Sequence, residues 1–127
     1  MLQIQVCKNI LFEKIMLRNS PRFHFKLIDI DGLEVRDMEI FSDWFGSRRK
    51  NAAFRLPIFP LNTDGIDPAG KNIHIHDIKI QNYDDAVVAK PSHGGNTYAT
   101  CTENMLVERV EVTYGVGMSI GSVSPND

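Results

Sequence analysis

Apolar and polar residues alternate in four segments of the chain that align with one another. The segments begin at Asn9, Gly32, Asn72 and Asn104, and each has apolar residues at its positions 2, 4, 7 and 9. All of these positions are apolar in a chain that is 43% hydrophobic, so coincidence is a poor explanation. Alternation with period two, interrupted by two residues, predicts two short strands joined by a bend, each with one buried face. The repeat therefore predicts an all-β chain.

The first position of the repeat and the spacing of its copies indicate how the strands are arranged. Asn occupies this position in the first, third and fourth copies and Gly in the second, and both residue types tolerate a left-handed turn. Stacked Asn side chains can also form a hydrogen-bonded ladder. The copies start 23, 40 and 32 residues apart, which fits a coil of about 23 residues with loop insertions. We therefore predict a β-solenoid; the alternative is a β-sandwich with coincidental alternation.

The two ends of the chain bear on its domain organisation. The first copy begins at Asn9 and the last coil nearly reaches the C-terminus, which leaves no room for the polar caps of a solenoid. We expect residues 1–127 to form one partial domain of about four to five coils, incomplete at both ends and prone to aggregate through open strand edges. Cys7 and Cys101 would lie three rungs apart, roughly 14 Å. A disulfide spans about 7 Å at most, so we expect no pairing.

The composition of the chain excludes some classes of binding partner. The formal net charge of −2 argues against a general nucleic-acid or anionic-membrane binder. No apolar run reaches the roughly 18 residues of a membrane span. The segment from Met1 to Ile10 does not have the pattern of a signal peptide. The protein is then either intracellular or lacks its true N-terminus here, and the repeat favours the second interpretation.

Two acidic clusters lie between the repeat copies. They are Asn62-Thr63-Asp64-Gly65 and Asp84-Asp85, and Asp64 and Asp84 are 20 residues apart. Because this distance is close to one coil, we expect the carboxylates on neighbouring rungs. Carboxylates that close repel one another, so at least one should titrate high while others stay ionised. Such a split supplies the general acid and general base of glycosidic cleavage. The alternative is that these residues only cap turns.

Four segments resemble the polygalacturonases of glycoside hydrolase family 28. They are CKNILFEKIMLRNSPRFHF at 7–25, NTDGID at 62–67, DDAVVAKP at 84–91 and GVGMSIGS at 115–122. The resemblance implies a right-handed, single-stranded, pectin-lyase-like parallel β-helix. It also implies a secreted glycosidase that hydrolyses α-1,4 galacturonan in the pectin of plant cell walls with inversion, without a cofactor or metal. The complete protein is expected to be a monomer whose signal peptide is absent from this chain.

The resemblance also assigns roles to residues. Asp84 is expected to be the general acid, with Asp64 and Asp85 as the pair that activates the attacking water. Asn62 is expected to be a polar, substrate-binding member of the same group. Val116 stands where the family has a histidine, within Gly-Val-Gly in place of Gly-His-Gly. An alternative is therefore a catalytically impaired β-helix that binds pectin or another acidic glycan, and a weaker one is a purely structural solenoid.

The family's later Arg-Ile-Lys motif has no counterpart before Asp127, which we interpret as truncation. Val116 and Asp84 are each twelve residues along their copy, so they should stack on adjacent rungs about 4.8 Å apart. The valine methyl groups would then exclude water from Asp84 and raise its pKa. Asp67 is expected to lie in the turn after Asp64 and to tolerate substitution.

Several weaker candidates have a structural alternative. The cations that could contact galacturonan carboxylates, or form a solvated loop, are Arg48, Arg49 and Lys50. His74 and His76 have a spacing that could hold a metal, but they occupy outward positions without an evident third ligand, so we predict no metal site. His93 could replace the missing histidine or simply lie in a Gly-rich loop. Trp44 occupies the repeat column of Asp84 and could stack on a sugar or pack in the core.

Overall fold

The computed structural model describes residues 1–43, 61–91, 98 and 101–123, and all regular elements within them are strands. The strands are β1 (Leu2–Glu13), β2 (Met16–Arg18), β3 (Phe25–Phe41), β4 (Ile66–Gln81), β5 (Asp85–Ala89), β6 (Glu103–Thr113) and β7 (Gly117–Ile120). None of the described residues forms a helix long and apolar enough to cross a membrane.

The strands of the described residues pair in parallel, and each pairing joins one coil to the next. β3 pairs with β1 and β4, and β4 pairs in turn with β6. β5 lies between β4 and β7, and β2 extends the pairing of β1 with β3. Parallel strands from successive coils that stack without helices form a parallel β-helix. The predicted fold class is therefore confirmed.

The apolar columns of the repeat appear in the strand register. Ile10, Leu33, Ile73 and Met105 are paired in succession from β1 to β6. The copies in β3 and β4 are at most 3% exposed and form the centre of the core. Those in β1 and β6 are partly buried against it. Ile15 departs from the pattern because 38% of it is exposed.

The first position of each copy adopts the left-handed conformation that its residue types predict. Asn9, Gly32, Asn72 and Asn104 have φ values of 52°, 84°, 58° and 51°. The side-chain amide of Asn104 donates to the Asn72 side-chain oxygen at 3.3 Å, which is one step of the predicted ladder. Gly32 interrupts the ladder because it has no side chain. The amide of Asn72 donates instead to Asp31 at 2.9 Å.

A second left-handed column marks the bend between the two short strands of each copy. It contains Lys14, Asp37, Asp77 and Arg109, with φ values between 50° and 56°. The pattern predicted a bend here, but not this conformation, because Lys, Asp and Arg share no preference for it. A left-handed residue other than Gly costs roughly 1–2 kcal/mol, so the stacking of the coils must impose the bend.

The cysteines occupy different rungs. Cys7 is paired with Ile30 in the next coil, and Ile30 is paired with Gly70 in the coil after that. Cys101 precedes β6 on a further rung. Both thiols are free.

Candidate active site

Three aspartates meet where the chain enters successive parallel strands. Asp64 lies two residues before β4, Asp84 lies directly before β5, and Asp85 is the first residue of β5. One carboxylate oxygen of each lies within 4.8 Å of the others. The structure thus brings together the three residues that the sequence predicts on neighbouring rungs. Within the described ranges, these are also the acidic, His or Cys side chains close enough to share a metal ion.

Backbone hydrogen bonds hold the three strand entries at a fixed spacing. The N–H of Gly65 donates to the Asp85 carbonyl at 2.9 Å, and the N–H of Val116 donates to the Asp84 carbonyl at 3.0 Å. Gly65 is required by this approach, because a Cβ atom at this position would lie 2.3 Å from the carbonyl oxygen of Ala86. The glycine of NTDG therefore sets the distance between the Asp64 and Asp85 rungs.

The Asp84 carboxylate is oriented by backbone donors on both oxygens. The N–H of Asn62 donates to Oδ2 at 2.7 Å, and the N–H of Asp85 donates to Oδ1 at 2.9 Å. Asn62 has a φ of 59°, a left-handed conformation that Asn tolerates. Asn62 contacts the cluster through its backbone, and the residue itself is exposed, so its substrate-binding role stays a prediction.

The Asp64 side chain is held differently. Only 4% of Asp64 is exposed, and its Oδ1 has no hydrogen-bond partner among the described residues. Burial, and then the charge of Asp84, raise the pKa of Asp64 to about 6. A proton therefore binds Asp64 at mildly acidic pH, which is the kind of titration that closely spaced carboxylates predict.

Buried Asp67 pairs with the partly exposed Lys90 beside this cluster, and sequence analysis missed this pair. The expectation that Asp67 lies in a turn is wrong, because β4 begins at Ile66 and Asp67 is 1% exposed within it. Burial, and then the charge of Asp64, raise the pKa of Asp67 to about 7. The Lys90 ammonium lies 3.6 Å from Asp67 Oδ2. Aligning IDPAG of β4 with FKLID of β3 would have placed Asp67 in a strand.

Val116 lies where the count of residues predicts, one rung from Asp84. It is 70% exposed, because it lies in the turn before β7 on the last described coil. That its methyl groups exclude water from Asp84 in the complete protein stays a prediction. The carboxyl groups whose pKa values are raised by burial are those of Asp64 and Asp67.

The remaining candidates are separate from the cluster. Five candidates lie outside the described residues, so their roles stay predictions. They are Trp44, Arg48, Arg49, Lys50 and His93. The rings of the two outer-face histidines, at positions 74 and 76, stack with centroids 4.0 Å apart. Their nitrogens contact carboxylates of neighbouring coils rather than converge on one point.

Comparison with known proteins identifies a family and several curated relatives. Residues 1–127 match the model of glycosyl hydrolases family 28. The chain is 35% identical over 123 residues to the endo-polygalacturonase of Pectobacterium carotovorum subsp. carotovorum and covers 26% of that protein. It is 30% identical over 122 residues to rhamnogalacturonase A of Aspergillus niger and covers 22% of it. Each alignment includes 96% of this chain. No solved structure matches.

The chain therefore belongs to glycosyl hydrolases family 28. It spans about a quarter of the length of the curated relatives it matches.

Proposed function

We propose that the complete protein is a secreted polygalacturonase that hydrolyses α-1,4 galacturonan of pectin. The observation that carries this proposal is the cluster of Asp64, Asp84 and Asp85, whose oxygens lie within 4.8 Å of one another in a chain of this family. The endo-polygalacturonase of Pectobacterium carotovorum subsp. carotovorum, at 35% identity, supports galacturonan as the substrate. The rhamnogalacturonases among the relatives make the rhamnose-containing backbone the competing substrate.

In the proposed mechanism, Asp84 protonates the glycosidic oxygen while Asp64 and Asp85 remove a proton from the attacking water. The two backbone donors to Asp84 fix the orientation of its carboxyl group in the site. The raised pKa of Asp64 favours a second assignment, in which Asp64 carries the proton and Asp84 belongs to the base. General acids and bases are typically worth roughly 10² to 10⁴ in rate, so the assignments can be separated kinetically.

The separating experiment uses Asp84→Asn and Asp64→Asn variants of the complete protein with two substrates. One is an oligogalacturonide, and the other is an aryl galacturonide whose leaving group needs no protonation. The variant that lacks the acid should recover turnover on the aryl substrate, because the missing proton is no longer needed. The variant that lacks the base should remain slow on both. Recovery by Asp64→Asn alone would select the second assignment.

Stereochemistry needs its own measurement. Inverting pairs of carboxyl groups are usually about 6.5–9.5 Å apart, whereas retaining pairs are about 5 Å apart. One carboxylate oxygen of each aspartate lies within 4.8 Å of the others here, which is shorter than the inverting range. Inversion is therefore supported by the family resemblance alone. Proton NMR of the first product formed should show the β-anomer if the enzyme inverts, and the α-anomer would exclude this part of the proposal.

A non-catalytic glycan-binding protein is the second candidate, and the valine at position 116 favours it. The exposed side chain leaves space for a larger residue, so Val116→His is expected to fold. Turnover of oligogalacturonides by wild type supports the enzyme, and a further increase in Val116→His supports a role for histidine there. Binding without turnover by both forms would select the glycan-binding candidate. A chelator should leave turnover unchanged if no metal participates.

The galacturonan polyanion also needs cations, because the described cluster is acidic and Lys90 is already paired with Asp67. Arg48, Arg49 and Lys50 are proposed to supply them. Replacing all three with Gln should raise the KM for oligogalacturonides and leave kcat nearly unchanged. The matched control replaces the outer-face Lys79, which is 73% exposed in its side chain. An unchanged KM in the triple variant would remove this assignment.

A further inference from the structure

A buried histidine, His24, lies on the rung before the acidic cluster and contacts Asp64 twice. It directly precedes β3, and only 1% of it is exposed. Its backbone N–H donates to the carbonyl oxygen of Asp64 at 2.8 Å, and its ring Nδ1 lies 3.1 Å from the same oxygen. The proposed mechanism gives this side chain no role.

The partners of the ring determine where its proton lies. A carbonyl oxygen only accepts hydrogen bonds, so Nδ1 must carry the hydrogen that points to Asp64. On the other side of the ring, the backbone N–H of Ser20 donates to Nε2 at 3.3 Å, so Nε2 must present its lone pair. The Ser42 hydroxyl also lies 3.3 Å from Nε2 and can donate to it. His24 is therefore a neutral imidazole, and burial lowers its pKa, which keeps it neutral.

The position of the Asp64 carboxyl group depends on its backbone. Backbone donors hold both oxygens of Asp84, but Oδ1 of Asp64 has no partner among the described residues. The peptide to which the Asp64 side chain is attached is in turn held by His24. A displacement of about 1 Å in a reacting group can cost about 10²-fold in rate. The contacts of His24 are therefore placed to affect the reaction without contact with the substrate.

We propose that His24 is a positioning residue that holds Asp64 through its Nδ1–H. This inference rests on the proposed function, because Asp64 is assigned there to the reacting groups. It predicts a specific tautomer, and it predicts which substitution preserves the function. The amide nitrogen of an Asn side chain occupies nearly the place of Nδ1 and can donate to the same carbonyl, whereas a Leu side chain fills the space without a donor.

The experiment compares the complete protein as wild type, His24→Leu and His24→Asn on oligogalacturonides. His24→Leu should lower kcat by about 10- to 100-fold with KM within about threefold, since it misplaces a reacting group rather than a binding group. His24→Asn should recover kcat to within about fivefold of wild type. His76→Leu is the matched control, because the contacts of this histidine among the described residues lie on the outer face. Equal kcat in His24→Leu and wild type, or equal losses in the Leu and Asn variants, would overturn the inference.

Two NMR measurements keep the inference distinct from the proposed function. The ¹⁵N shifts of the His24 ring at about pH 6.5, near the ordinary histidine pKa, should show hydrogen on Nδ1 only. Hydrogen on Nε2 would overturn the inference even if every variant failed to fold. The ¹³C shift of the Asp64 carboxyl group should titrate differently in His24→Leu but normally in His24→Asn. If wild type has no turnover, the proposed function fails, and these two measurements still decide whether His24 positions Asp64.

Discussion

Two charged clusters that share strand β4 each contain aspartate and a cation, and they behave in opposite ways. In the site, burial raises the pKa values of Asp64 and Asp67 to about 6 and about 7. On the outer face, hydrogen bonds to Arg109 and His76 hold the pKa of the Asp77 carboxyl group well below its usual range. Both clusters include a cation, so the presence of a positive partner does not explain why the pKa values move in opposite directions. Solvent exposure and hydrogen-bond geometry explain it.

The geometry of the two cation pairs is different. Arg109 donates two hydrogen bonds to the two oxygens of Asp77, at 2.7 and 2.9 Å, and the two side chains are 54% and 40% exposed. Lys90 approaches one oxygen of Asp67 at 3.6 Å, and neither oxygen accepts a hydrogen bond from a described residue. A bidentate, solvated pair stabilises the ionised carboxylate. A buried carboxylate without hydrogen bonds retains its proton, which a catalyst of proton transfer can use.

The largest expected difference between the clusters is in turnover. Asp64→Asn in the complete protein should lower kcat on oligogalacturonides by about 10² to 10⁴, because it removes a proposed proton acceptor. Asp77→Asn is the matched control: it is the same substitution, at an exposed left-handed position that Asn tolerates, and should leave kcat within about twofold. Comparable losses in the two variants would show that the effect comes from the fold rather than from the site.

The next difference is in stability against pH. The folded-state pKa values of Asp64 and Asp67 lie above the ordinary value of 3.8, so their contribution is fully present below about pH 4 and is lost as pH rises through 6 to 7. At about 1.4 kcal/mol per pKa unit, the loss is on the order of a few kcal/mol for each carboxyl group. Thermal melts between about pH 4 and 8 should therefore show wild type losing more stability than Asp64→Asn/Asp67→Asn. Parallel curves for the two proteins would contradict this.

The features that could be predicted from the sequence are those that local residue types determine. The core columns, such as the one that contains Leu33, were visible because apolar spacing repeats with the coil. Asn72 was recognisable because few residue types suit a left-handed turn. Asp64, Asp84 and Asp85 were recognisable because their spacing is one coil and the segments that contain them resemble a family. These features depend on local residue types and survive variable loop lengths.

The features that could not be predicted from the sequence are those that depend on which face of a coil is buried. Asp67 and Asp77 are both aspartates in β4, and only the folded chain shows that one is 1% exposed while the other pairs with an arginine in solvent. The role proposed for His24 depends on a contact 40 residues away along the chain. The exposure of Val116 likewise depends on what covers its rung, which no local pattern encodes.

A smaller expected difference concerns the two lysines. Lys90→Met should raise the pKa values of Asp64 and Asp67 further, because the Lys90 charge lowers both. An opposite charge nearby typically lowers a carboxyl pKa by about 1 to 3 units, and we expect the smaller end because the pair is not hydrogen-bonded ideally. The rate–pH profile should shift upwards by about that amount. Lys79→Met, whose lysine pairs with Glu111 in solvent at 3.8 Å, is the control and should leave the profile in place.

The smallest effect is expected from the outer-face pair itself. Arg109→Gln removes both hydrogen bonds to Asp77, yet exposed ion pairs contribute little to stability because water competes for them and salt screens them. The free energy of unfolding, measured with denaturant near pH 7, should therefore fall only slightly, and the difference should shrink in about 1 M salt. Turnover should not change, since the pair lies outside the cluster. A loss as large as that caused by a buried substitution, or one that persists in high salt, would mean that the outer face supports the coils more strongly than its exposure implies.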